Sequence, residues 1–164
     1  LLYVAWAFRR LAKPWRYGVS AIIALVHDVL VVLGLFSLLG RLFGVQVDAT
    51  FIAAILAVVG YSVNNTVVVY DRIRENTVRG ISRDYVQVVN QSLVESLVRS
   101  LNTSLTTLFV VLALFLFGGE TIRYFTLVFI IGITAGTYSS LFISSQLLVV
   151  WESKRWGRIW TRTA

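Results

Sequence analysis

The sequence predicts an all-α fold, a polytopic membrane helix bundle, and three observations predict it. Hydrophobic residues make up 57% of the 164 positions and charged residues only 14%. The mean hydropathy of +0.78 is far above the balance of a soluble domain. The apolar residues also come in runs of about 20, long enough at 1.5 Å per residue to cross roughly 30 Å of hydrocarbon. Finally, Lys and Arg cluster: four lie between positions 9 and 16, five between 72 and 99, and four between 154 and 162. Basic clusters flanking apolar runs report topology, so the net charge of +7 implies no nucleic-acid partner. The chain has no cysteine, which excludes disulfides, iron–sulfur clusters and thiolate zinc sites.

The elements follow in order. Residues 1–16 read as the end of a truncated transmembrane helix followed by a basic loop. Leu1 to Phe8 is too short to span, so the chain reads as a fragment. Arg9, Arg10, Lys13 and Arg16 surround the only proline, Pro14, and by the positive-inside rule are cytoplasmic. Residues 17–70 hold two spans, Tyr17 to Leu39 and Phe51 to Tyr70, joined by a short outer loop. Residues 71–97 form a charged cytoplasmic loop. Within it Tyr85, Val89, Leu93 and Leu97 recur every four residues, predicting an amphipathic helix along the inner membrane surface. Residues 98–151 hold two more spans, Val98 to Phe117 and Tyr124 to Trp151, separated by Gly118 and Gly119, with Glu120 and Thr121 able to start the second. Residues 152–164 are a basic tail in which Trp156 and Trp160 join Trp151 as an interfacial anchor. When the helices alternate direction, all three basic regions fall on one side.

Against this apolar background the polar residues within spans stand out. Asn64 and Asn65 sit together in an apolar run, followed by Thr66. An uncompensated amide in hydrocarbon costs several kcal/mol, so such groups face other helices or a wet cavity. Asn65 lies roughly 9 Å from Asp71 at the cytoplasmic edge, and Asp28 roughly 18 Å from Arg16, so direct contact between positions 28 and 65 is not expected and water would bridge them. His27 and Asp28 point about 100° apart on a helix and read either as a transport site or as a pair pinning two helices. Arg99 enters its span from the cytoplasmic side ahead of Asn102. It reads as a fixed cation beside position 65 or as an arginine snorkelling to headgroups. Gly132 and Gly136 form a GxxxG, extended by Ser139, Ser140, Ser144 and Ser145, the pattern of close helix packing.

Four stretches together, HDVLVVLGLFSLLG (27–40), GYSVNNTVVVYDRIREN (60–76), LNTSLTTLFVVLALFLFGGE (101–120) and GITAGTYSSLFISSQLLVVW (132–151), resemble the SecF family of bacterial protein-export subunits, in order and at the family's spacing. The resemblance implies half of a resistance-nodulation-division-type transmembrane domain in the bacterial inner membrane. The family's first helix and periplasmic domain would lie outside this chain. It further implies a motor subunit without covalent catalysis and without a cofactor, which pairs with SecD, uses inward proton flow, and assists preprotein export through the SecYEG channel within membrane lipids. The proton pathway it implies runs through Asn65, Arg99, Asn64, Asn102 and Thr66, with Asp28 and His27 as further members. One departure matters: the family motif reads Asn-Asp-Thr where this chain has Asn64, Asn65 and Thr66. An asparagine copies the shape of a neutral aspartic acid but has no removable proton. Position 65 is therefore read as a substitution holding the site in a protonated-like state, with a natural variant as the alternative.

Other functions are weaker on the same residues. A half-transporter of the same superfamily exporting small molecules or lipids shares the fold, and only the detailed motifs favour SecF over it. An intramembrane protease would need a serine with a histidine base or two membrane aspartates; Ser62 and His27 exist, but no nucleophile elbow accompanies them. A single histidine and no carboxylate cluster make a poor metal site.

Overall fold

A computed structural model describes residues 14–45 and 47–152. The predicted truncated helix and most of the basic loop after it, and the tail with Trp156 and Trp160, lie outside them. Four helices among the described residues are long and apolar enough to cross a membrane. Helix α1 spans Pro14–Phe43, α2 Ala49–Arg79 and α3 Tyr85–Phe117. The last crossing begins as α4, Glu120–Tyr138, passes through a π-helical segment, Ser139–Ser144, and ends as α5, Ser145–Glu152.

Local chemistry sets the ends. Asp48 caps α2 by accepting from the backbone N–H of Phe51 at 3.0 Å, satisfying one of the donors that every helix start leaves open. Gly80 closes α2 in the left-handed conformation, φ 67°, which costs a glycine little. Asp84 caps α3 through Val86 N–H. The turn at Gly118 and Gly119 leads directly into α4 at Glu120, the start the sequence predicts.

The connectivity alternates. The guanidinium of Arg16 donates to the carbonyl of Trp151 at 2.8 Å, and Trp15 lies against Trp151 with ring centroids 5.5 Å apart and the rings tilted by 46°. The Tyr17 and Tyr85 hydroxyls are bonded at 3.0 Å. The start of α1, the start of α3 and the end of α5 therefore meet at one end of the bundle, the end the basic clusters mark as cytoplasmic.

Two expectations change. The amphipathic stretch at 85–97 and the span from Val98 are one unbroken helix of 33 residues, because nothing between them breaks an α-helix and their buried faces are continuous. That face takes in most of the predicted row, with Val89 buried and Tyr85 and Leu93 packed against the core, but Leu97 is exposed, and Ser92, Ser96, Ser100 and Ser104 carry the burial along the helix. Small side chains every four residues let α3 lie close to its neighbours, and small size outranks apolarity where helix backbones approach in a membrane. The helix that α2 and α3 extend past the spans is tied by Asn76, whose amide donates to Ser92 at 3.0 Å and to Glu95 at 2.9 Å, and by Arg72, which bonds Glu95 and Glu75.

Packing separates two apolar cores. Tyr17, Ala21, Val69, Tyr70, Ile73, Val89, Leu141 and Leu148 form one toward the cytoplasmic end. Val32, Phe36, Phe51, Ala54, Val58 and Val128 form the other toward the outer end. Between them lies a layer of buried polar side chains: Asp28, Ser62, Asn65, Thr66, Ser139, Ser140 and Ser144.

Candidate functional site

The polar layer exists because α4 comes unusually close to α2. A Cβ built on Gly132 would fall 2.2 Å from Val58 Cγ2, and one on Gly136 3.2 Å from Ser62 Cβ. The GxxxG pair is thus a packing device, as its spacing predicts, and one turn further on it brings Ser139 beside Ser62. Both serines point at the same carboxylate. Ser62 Oγ donates to Asp28 Oδ2 at 2.5 Å and Ser139 Oγ donates to the same oxygen at 2.8 Å. Oδ1 lies 3.1 Å from His27 Nδ1. Asp28 is fully buried, and each of its oxygens has a partner, as a buried carboxylate requires.

Asn65 is also buried, one turn along α2 from Ser62. Its amide donates to Ser140 Oγ at 2.8 Å, and that hydroxyl donates in turn to the Thr137 carbonyl at 3.0 Å. Asp28 and Asn65 share no hydrogen bond. They are joined through neighbouring residues, Ser139 and Ser140, at the start of the π segment. A π turn inserts a residue into the helix and misaligns the carbonyl ladder. Here serine hydroxyls serve that ladder: Ser144 and Ser145 both donate to the Ser140 carbonyl, at 2.7 and 3.1 Å. Nothing in the composition of SSLFIS marks a π turn, and sequence reasoning missed it; the cluster of four serines was the available signal.

On the other side of Asn65, a cavity of about 120 Å³ lies between α2 and α3, lined by Tyr61, Asn64, Asn65, Val68, Arg99, Ser100 and Thr103. At roughly 30 Å³ per water in the liquid, it is large enough for a few waters. Its polar lining suits them, and the buried Ser100 hydroxyl has no protein partner among the described residues. Arg99 makes no ion pair among the described residues and shares this cavity with position 65. Tyr61 on the cavity wall is held by Ser104, whose hydroxyl accepts from Tyr61 at 3.1 Å and from Thr137 at 2.7 Å.

The predicted site residues therefore divide. Asn64, Asn65 and Arg99 line one cavity, and Thr66 is buried in the polar layer beside them. Asp28 lies in the same layer, while His27 is half-buried outside it with its ring 6.5 Å from that of Tyr138. Asn102 is not among the residues lining that cavity; it is exposed on α3, as Asn64 and Arg99 also are in this chain alone. Ser62, Ser139 and Ser140 were not singled out as site residues, and they make the bonds that hold the site together.

With this geometry described, the relatives can be compared. A family model described as protein export membrane protein SecD/SecF, C-terminal, matches residues 1–154. The protein translocase subunit SecF of Thermobaculum terrenum is 55% identical over 161 residues, covering 98% of this chain and 51% of the relative. That of Anaerolinea thermophila is 49% identical over 165 residues, covering 100% of this chain and 54% of the relative. A solved chain, the crystal structure of SecDF in super-membrane-facing form, is 42% identical with a TM-score of 0.84, covering 99% of this chain and 21% of that one. The chain spans about half the length of these curated SecF relatives. Its four crossing helices and its relatives make it a multi-pass protein of the bacterial inner membrane. On the extent of these matches, the chain belongs to the SecD/SecF C-terminal family of protein export membrane proteins.

Proposed function

We propose that this chain is the membrane half of a non-enzymatic motor subunit that pairs with SecD and uses inward proton flow to assist preprotein export at the SecYEG channel. One observation carries the reading. Between two apolar cores, a layer of hydrogen-bonded polar side chains on α1, α2 and α4 adjoins a polar cavity that holds Arg99. A bundle needing only stability has no use for a buried carboxylate, whose desolvation is expensive, whereas a proton route needs groups and waters at hydrogen-bond spacing. The route is assigned to Asn65, Arg99, Asn64 and Thr66, with Asp28 and His27 above them. Asn102, exposed on α3 three residues from Arg99, contributes through whatever covers that face.

The test is preprotein translocation in proteoliposomes containing the full-length subunit, SecD and SecYEG, with and without an imposed proton gradient. Arg99→Ala is expected to abolish stimulation by the gradient while leaving the complex assembled. Stimulation that survives the substitution, or an absence of stimulation in the unsubstituted complex, would refute the reading. Crosslinking to a small lipid probe and not to the preprotein would favour the half-transporter alternative.

A further inference from the structure

The proton-driven reading requires a group that can take up and release a proton, and Asn65 has none to offer. The chain contains eight Asp and Glu, and seven lie at helix ends or in the cytoplasmic extension. Asp48 and Asp84 cap helices, Asp71, Glu75 and Glu95 belong to the ionic network beyond the spans, and Glu120 and Glu152 bound the last crossing. The eighth is Asp28, midway along the 30 residues of α1 and wholly buried. Resting on the function proposed above, we infer that Asp28 is the proton-carrying group of this chain, and that Ser139 passes its charge state to the π segment of the last crossing.

The geometry gives the step. The groups facing Asp28 are Ser62 from α2, Ser139 from the last crossing and His27 from its own helix, with Tyr138 against His27. Among the described residues His27 is the one titratable group bonded to it. When the carboxylate is ionised, Oδ2 accepts from both serine hydroxyls. When a proton from the outer side settles on Oδ2, that oxygen becomes a donor and one serine must become an acceptor. Ser139 can do so, because its Oγ also lies 3.3 Å from the Gly136 carbonyl and its hydrogen can turn there. Ser62 has no second acceptor of this kind among its bonds. Protonation thus moves a hydrogen bond from the carboxylate into the backbone at the first residue of the π turn, next to Ser140, which holds Asn65. A π turn is one residue out of register with an α-helix, so the ladder there has two arrangements that such a bond can bias.

Further hydroxyls lie toward the other end of the same helix. Ser20 is two turns from Asp28, roughly 12 Å along the axis, and bonds the buried Tyr70 hydroxyl at 2.6 Å; the Tyr17 and Tyr85 hydroxyls form a separate pair at the end of the bundle. A proton leaving this way would need waters across the gap.

The experiment uses the full-length subunit assembled with its partner in vesicles carrying a pH-sensitive dye. Asp28→Asn keeps the shape and removes the titrating group; it should reduce proton flux at least tenfold with assembly intact, while Asp28→Glu retains part of it. Asn65→Asp added to Asp28→Asn should not restore flux. Difference infrared spectroscopy should show a protonated-carboxyl band in the parent that Asp28→Asn lacks. Ser139→Ala, a positioning change, removes a donor to the ionised form and should move the pH profile of flux to higher pH without altering assembly. If Asp28→Asn conducts like the parent, if Asn65→Asp rescues it, or if Ser139→Ala leaves the profile unmoved, the inference is wrong although the motor reading stands. A parent complex that conducts no protons overturns the motor reading itself. Should Asp28→Asn fail to assemble, the Asp28→Glu and Ser139→Ala results decide.

Discussion

Replacing Gly132 by alanine puts one methyl group where the structure has no space for it. The added Cβ would lie 2.2 Å from Val58 Cγ2, 2.5 Å from Cγ1 and 2.9 Å from Cβ, against about 3.5–4.0 Å for carbon atoms in contact. No rotamer of Val58 relieves this, since its Cβ is itself too close, and Val58 is buried among the outer core residues. Helices α2 and α4 must therefore separate by roughly 1 Å, at an overpacking cost of about 1–3 kcal/mol. Gly136→Ala meets Ser62 at 3.2 Å and should cost less, a shift of a few tenths of an ångström sufficing. The assay is reversible unfolding of the assembled complex in mixed detergent, comparing both variants with Gly132→Ala/Val58→Ala. The double variant should be more stable than the sum of its parts by about 1 kcal/mol. Additive effects, or a Gly132→Ala protein as stable as Gly136→Ala, would show that the close approach of α2 and α4 is not what holds the polar layer together.

Further outcomes follow from the same contacts. Ser62→Ala removes a hydrogen bond to a buried carboxylate and should destabilise the complex by about 1.5–3 kcal/mol, read in the same unfolding assay. Tyr70→Phe removes the neutral bonds of the buried hydroxyl to Ser20 and Ser144, while Ser20 keeps the Arg16 carbonyl at 2.8 Å as an acceptor, and should cost about 0.5–1.5 kcal/mol for each bond. Glu95→Gln removes the charge from the exposed pair with Arg72; the loss of stability should be small and should shrink as salt is raised, which a melting series against ionic strength would check.

The four spans were legible in the sequence because each rests on local chemistry. Runs of apolar residues set the crossings, and Gly118 and Gly119 mark the break before Glu120, whereas the caps at Asp48 and Gly80 were not read from the sequence. The packing role of Gly132 and Gly136 was legible for the same reason, since small residues four apart have one common use in a membrane. Three further features were not. The π segment depends on how a ladder of carbonyls is shared among serines, which no residue pattern fixes. The serine row on α3 was hidden because a reading that looks for apolar periodicity passes over small polar side chains. The bonds joining Asp28 to α2 and the last crossing depend on which helices are neighbours. Sequence depth alone placed Asp28 and Asn65 at different heights without showing that Ser139 and Ser140 lie between them. Asn102 was grouped with Arg99 by resemblance and proximity; it shares the exposed side of α3 with Arg99 but does not line the cavity.

The proposed route needs the polar groove between α2 and α3, whose Asn64, Arg99 and Thr103 are exposed in this chain alone, to be reached by water and shut off from lipid. This chain contains no cysteine, so a single introduced thiol in a cysteine-free complex reports its own surroundings. Asn64→Cys and Thr103→Cys, both on the cavity wall, should react with a membrane-impermeant thiol reagent added from the cytoplasmic side, and Leu116→Cys, exposed near the outer end of α3, should not. Equal protection of all three, or labelling of Leu116→Cys alone, would contradict it.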